Sequence, residues 1–98
     1  MERNWKYCEG LLKRMAESME LMIIVTPANR LCPGTWHIAQ RQGSSVLRLT
    51  LNYFSPKVLL DKFLNFYDVI NTGFGVVHNP FYSMSPEEAE LKLAVMGA

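Results

Sequence analysis

The stretch from Ser55 to Gly73 constrains this chain more than any other, because it reads as a helix with punctuation at both ends. Ser55 can accept hydrogen bonds from the first free amides, Pro56 stands where a missing N–H costs nothing, and Gly73 can take the left-handed conformation that closes a last turn. Between them Leu59, Phe63, Phe66 and Ile70 fall on one line at helical spacing. Leu60, Leu64 and Tyr67 widen that line on one flank, Val58 and Val69 on the other, and Lys57, Asp61, Asn65, Asp68 and Thr72 form the remaining polar stripe. A helix this apolar has to be covered on more than one side, by the rest of the chain or by a second chain.

The rest of the chain has to supply that cover. With 98 residues and 49% hydrophobic composition there is material for one core and not for two, so residues 1–98 form a single domain. Trp5, Cys8, Leu12, Met15, Met19 and Met22 recur every three or four positions and predict a first helix from residue 4 to about 20. Glu2 with Lys6 and Glu9 with Lys13 add favourable pairs one turn apart. After Glu20 the run Leu21-Met22-Ile23-Ile24-Val25 is apolar all round and increasingly β-branched, which fits either a buried continuation of the helix to Pro27 or a short inner strand at 22–26, the β-branching favouring the strand. Pro27 to Gly34 is a loop by its two prolines and its Pro-Gly turn.

A hairpin follows: Thr35 to Gln40, a connection at Gly43-Ser44-Ser45, then Val46 to Phe54. Its second strand alternates, with Leu47, Leu49, Leu51 and Tyr53 on one face beside Trp36 and Ile38, which makes that face dry. The other face takes His37 and Arg41 beside Arg48 and is expected to be wet. Beyond Gly73 the residues Phe74 to His78 suggest a short strand, ended by Asn79-Pro80. Ser85, Pro86 and Glu88 then form a capping box that opens a last helix. The fold expected is α+β: a small antiparallel sheet of two to four strands against helices, in the order α-β-β-β-α-(β)-α.

Function is less constrained. The net charge of +1 excludes a chain that seeks polyanions as a whole, yet from Leu21 to Leu60 there is no acid, only Arg30, Arg41, Arg48 and Lys57. Cys8 and Cys32 match neither a disulfide framework nor a metal-binding spacing, so they read as free thiols in a reducing compartment. The longest apolar run is far short of a membrane span and the N-terminus does not resemble a signal peptide, which suggests a cytosol, bacterial or that of an infected host, and no membrane partner. Nucleophilic catalysis would need Cys8, Cys32, Ser44 or Ser45 beside His37 or His78, and none stands in a recognisable motif. Cys8, Cys32, His37 and His78 are the right types for zinc without the spacing, and Gly73-Phe74-Gly75 follows a helix where a phosphate loop would precede one. No enzyme, no cofactor and no metal site are therefore expected.

Two binding readings remain. Methionine adapts to irregular partners, so Trp5, Met15, Met19 and Met22 are candidates for contact with another protein, in an accessory or inhibitory factor that could also self-associate as a homodimer through its apolar helices. The alternative is weak nucleic-acid binding by Arg30, His37, Arg41 and Arg48 on the wet hairpin face. The order helix, strands, helix with a basic middle resembles the double-stranded RNA-binding domain in element order alone. That family places a lysine-rich turn at the start of its final helix, where this chain has Glu87 and Glu88.

Overall fold

A computed structural model describes residues 4–72 and 75–97 and has the α+β architecture expected from the sequence. Helix α1 (Trp5–Ser18) leads into strands β1 (Met22–Thr26), β2 (Thr35–Gln42) and β3 (Ser45–Arg48), followed by α2 (Pro56–Leu64), β4 (Asp68–Thr72), β5 (Gly75–His78) and α3 (Pro86–Met96). The first three strands form an antiparallel sheet in the order β1-β2-β3, and β4 pairs with β5 in a separate hairpin. Among the described residues no helix is long and apolar enough to cross a membrane.

Helix α1 begins at the Asn4 cap, whose side chain accepts from the Tyr7 amide at 2.7 Å. It stops at Ser18 in a motif that the residue types conceal. Glu20 adopts a left-handed conformation (φ 60°), the Leu21 amide reaches back to the Ala16 carbonyl and the Glu20 amide to that of Glu17. Glycine is usual at such a position, so a glutamate there hides the stop. The chain leaves the helix in time for Met22 to enter β1.

The central helix is shorter than its periodicity suggests. Ser55 caps it and Pro56 opens it, as expected, but it ends at Leu64, and Asp68–Thr72 is a strand. The carbonyls that a longer helix would use for its own ladder are taken. The Asn79 side chain donates to the carbonyls of Phe63 (2.6 Å) and Phe66 (2.9 Å), while the Ser83 amide donates to that of Leu64 (2.7 Å). β-branched Val69, Ile70 and Thr72 then favour the extended state. The closing role expected of Gly73, and the strand position of Phe74, lie outside the described residues.

The shortened α2 is covered by its own chain. Leu59, Leu60, Phe63 and Leu64 are buried against Cys8, Leu11, Leu12 and Met15 of α1, with Trp36 and Ile38 from the sheet and Phe81 from the loop after β5. Helix α3, with the expected Ser85–Glu88 capping box, closes the far side of α1 through Ala89 and Leu93. The demand for a second chain to wrap a long central helix therefore does not arise.

The hairpin departs from the expected alternation. Gly43, at φ +62°, makes the tight turn, and β3 then follows β2 only as far as the pair Ala39–Arg48. The next amide, Leu49, still donates to Ile38, but the Ile38 amide bonds to the Thr50 hydroxyl at 3.0 Å, and pairing returns only at Trp36–Tyr53. A bulge is thereby inserted, and Leu51, assigned to the dry face by parity, is 76% exposed.

Candidate interaction surface

The residues singled out from the sequence are not brought together. Met15 is completely buried in the core, where it can touch no partner, and Met19 packs partly against the same core. Met22 belongs to β1, not to the helix, and pairs with Ala39. Trp5 is 52% exposed and meets Trp36 edge to face at 5.3 Å between ring centres. Trp36 is held by a residue that the spacing marked only as a partner of Lys13: its indole N–H donates to the Glu9 carboxylate at 2.9 Å, and the expected Lys13–Glu9 pair forms at 3.2 Å. The indole bond, followed by Lys13, keeps the Glu9 carboxyl below its usual range against the opposing effect of partial burial.

The basic set is divided in the same way. Arg30 is exposed in the loop before β2. Arg41 and Arg48 are exposed and lie diagonally on one face of the sheet, since Arg41 pairs with Val46 and Ala39 with Arg48. His37 shares that face by parity but is buried, which corrects the expectation of a wet histidine. Asn52 is a hydrogen-bonding neighbour of the ring, while Nδ1 has no partner among the described residues. Burial first and the nearby Arg48 second lower the His37 pKa, and Asn52 opposes them. His37 is therefore neutral at pH 7 and presents no cation.

Cys8, Cys32 and His37, considered from the sequence as nucleophiles and base, are held apart. Cys8 is buried on α1 within the core, Cys32 is exposed in a loop, and His37 occupies the opposite face of the sheet from the core. Among the described residues no group of His, Cys, Asp and Glu could hold a metal ion. An open depression of about 440 Å³ between the ends of α1 and α3 is lined by Arg14, Glu17, Ser18, Leu93, Met96 and Gly97, and the Ser18 hydroxyl there donates to the Met15 carbonyl at 2.6 Å.

The surface that does stand out is β1. Its residues Met22-Ile23-Ile24-Val25 belong to the longest apolar run of the chain, yet not one of them is buried, and Val25 is 38% exposed. The strand occupies a sheet edge. Which of its backbone groups are open follows from β2. Trp36 and Ile38 direct their amides and carbonyls toward the β3 side, so Thr35, His37 and Ala39 direct theirs toward β1. Their partners Thr26, Ile24 and Met22 are the hydrogen-bonded residues of β1, and Ile23 and Val25 point their N–H and C=O groups away from the sheet. No strand among the described residues meets them. Trp36 is also the cross-strand partner of Val25, which puts the half-exposed Trp5 at the same corner.

Comparison with known proteins yields no matching family model, no matching curated protein and no matching solved structure.

Proposed function

We propose that this protein is a non-catalytic binding module, an accessory or inhibitory factor that engages another polypeptide by accepting a strand on the free edge of β1. The observation that carries this is the placement of the most apolar strand at a sheet edge, with the backbone groups of Ile23 and Val25 unpaired and no residue of the strand buried. An extended segment laid along such an edge completes hydrogen bonds that are otherwise left to water, and apolar side chains on alternate positions add contact area. Trp5 extends the apolar area at the Val25 end, so of the residues marked from the sequence Trp5 and Met22 remain in contact range and Met15 does not.

The test is capture of interacting proteins by the full chain and by Val25→Pro, with and without nuclease. Proline at Val25 removes an outward N–H and no bond of the β1–β2 ladder, so the variant should keep its melting temperature within a few degrees and lose the captured protein. Retention of the same protein by Val25→Pro would sink the edge assignment. Capture that disappears with nuclease, and on Arg41→Glu with Arg48→Glu, would replace protein binding by the nucleic-acid alternative.

A further inference from the structure

We infer that the strand accepted by β1 is β1 of a second copy of this chain, paired antiparallel about a two-fold axis at Ile24, which joins the two three-stranded sheets into one. This rests on β1 as an acceptor edge and adds the identity of its occupant. The outward groups lie on Ile23 and Val25, one residue either side of Ile24. In an antiparallel pair centred on Ile24, Ile23 of one copy faces Val25 of the other, and each such pair exchanges both N–H···O=C bonds. Every outward donor and acceptor of the strand is satisfied at once, without a register shift.

The side chains agree with the same register. Ile24 meets its own copy at the symmetry axis in a pair without hydrogen bonds, where side chains approach most closely. Met22 faces Thr26 on that side of the sheet, and Ile23 faces Val25 on the core side. None of these residues is charged. The opposite edge fares differently: the outward backbone groups of β3 belong to Val46 and Arg48, because Ala39, whose groups point toward β1, is the partner of Arg48. Two copies joined there would bring exposed Arg48 and Arg41 of both chains together without an acid between Leu21 and Leu60 to compensate. Joined at β1, the two β3 strands stand about 24 Å apart, five strand spacings, well beyond the screening length of ~8 Å at physiological salt. One edge is self-complementary and the other self-repelling.

A strand of five residues buries little area, so the dimer should be micromolar, not nanomolar. Sedimentation of the full chain from about 1 to 100 µM, the range in which such a dimer dissociates, should show a mass rising from 11.2 kDa toward twice that value. Ile24→Lys places two ammonium groups opposite one another and should raise the dissociation constant at least about tenfold. Ile24→Glu alone should do the same, and mixing the two variants should restore a dimer containing one of each. Val46→Lys, on the other edge, should leave the wild-type constant unchanged.

A wild-type chain that stays monomeric throughout, while Val25→Pro still loses a captured protein, overturns the second copy and leaves the edge assignment standing. A dimer indifferent to both Ile24→Lys and Val25→Pro is built on another surface and likewise overturns the second copy at β1, while the edge assignment itself falls only if Val25→Pro retains the captured protein. Circular dichroism of each variant separates loss of association from loss of folding, and restoration by mixing is a result that unfolded variants could not give.

Discussion

The two edges of the three-stranded sheet make opposite use of the same backbone. At β3 the free edge is four residues long, carries exposed Arg48 beside Arg41, and is followed by a bulge at Thr50 that interrupts the pairing until Trp36–Tyr53. At β1 the free edge is five residues long, uncharged and without a bulge in its pairing to β2. Charge, brevity and bulges are the devices by which sheets discourage further pairing, and an apolar, flat edge lacks them. Because β2 between them is buried from Trp36 to Ala39, the difference does not come from the core. It lies in what each outer strand offers to a neighbour, and that separates an edge that ends the sheet from one that can extend it.

The largest effect on this contrast should come from the bulge. Thr50→Val removes the hydroxyl that accepts from the Ile38 amide in the middle of the buried strand, and leaving that donor without a partner should cost roughly 1–3 kcal/mol. Urea unfolding would measure it. If the loss is absent, the chain has closed the bulge and extended β3, and Leu51 should then become protected from solvent. A smaller effect of opposite sign is expected where β1 begins. Glu20→Gly places glycine at the left-handed residue that ends α1, and relief of that conformation should stabilise the fold by about 1 kcal/mol. An unchanged or lower midpoint would mean that the glutamate side chain contributes something that its backbone strain conceals.

These two positions also show why part of the fold was legible and part was not. Local signals with a single physical cause came through: the Ser55-Pro56 start of α2, the Ser85–Glu88 capping box, β1 at 22–26 and the tight turn at Gly43. The length of α2 did not, because its apolar spacing runs on through Ile70 and the competing partner is Asn79, beyond an intervening hairpin. The burial of His37 was equally hidden. Parity puts it on the outer face correctly, but the period of the strand says nothing of the burial that the ring meets there beside Arg48 and Asn52. The candidate surface suffered most, since a methionine stripe at helical spacing cannot reveal that the helix stops at Ser18 and passes Met22 to a strand. What pointed to the edge was present in the sequence as the uncharged run Leu21–Val25, whose place at the side of the sheet required the strand order.

The smallest effect is a pH dependence that connects the charged edge to the ring behind it. The folded-state pKa of His37 is lowered from 6.5, first by burial and then by Arg48. The unfolded chain therefore binds the proton more readily, so the stabilisation is fully present above about pH 6.5 and is lost as pH falls through that value toward the folded-state pKa. Melting temperatures of wild type and His37→Gln between about pH 7.5 and 5.5 should diverge in slope, with the wild type losing more at the acidic end. Arg48→Val removes the cation but not the burial, so the ring pKa should move part of the way back toward 6.5 and the acidic loss should shrink without vanishing. Proton NMR of the ring in the two chains reads that pKa directly. Equal values would mean that Arg48 directs its charge away from His37 and into solvent along the β3 edge, where its whole effect would then be to keep a second sheet from pairing.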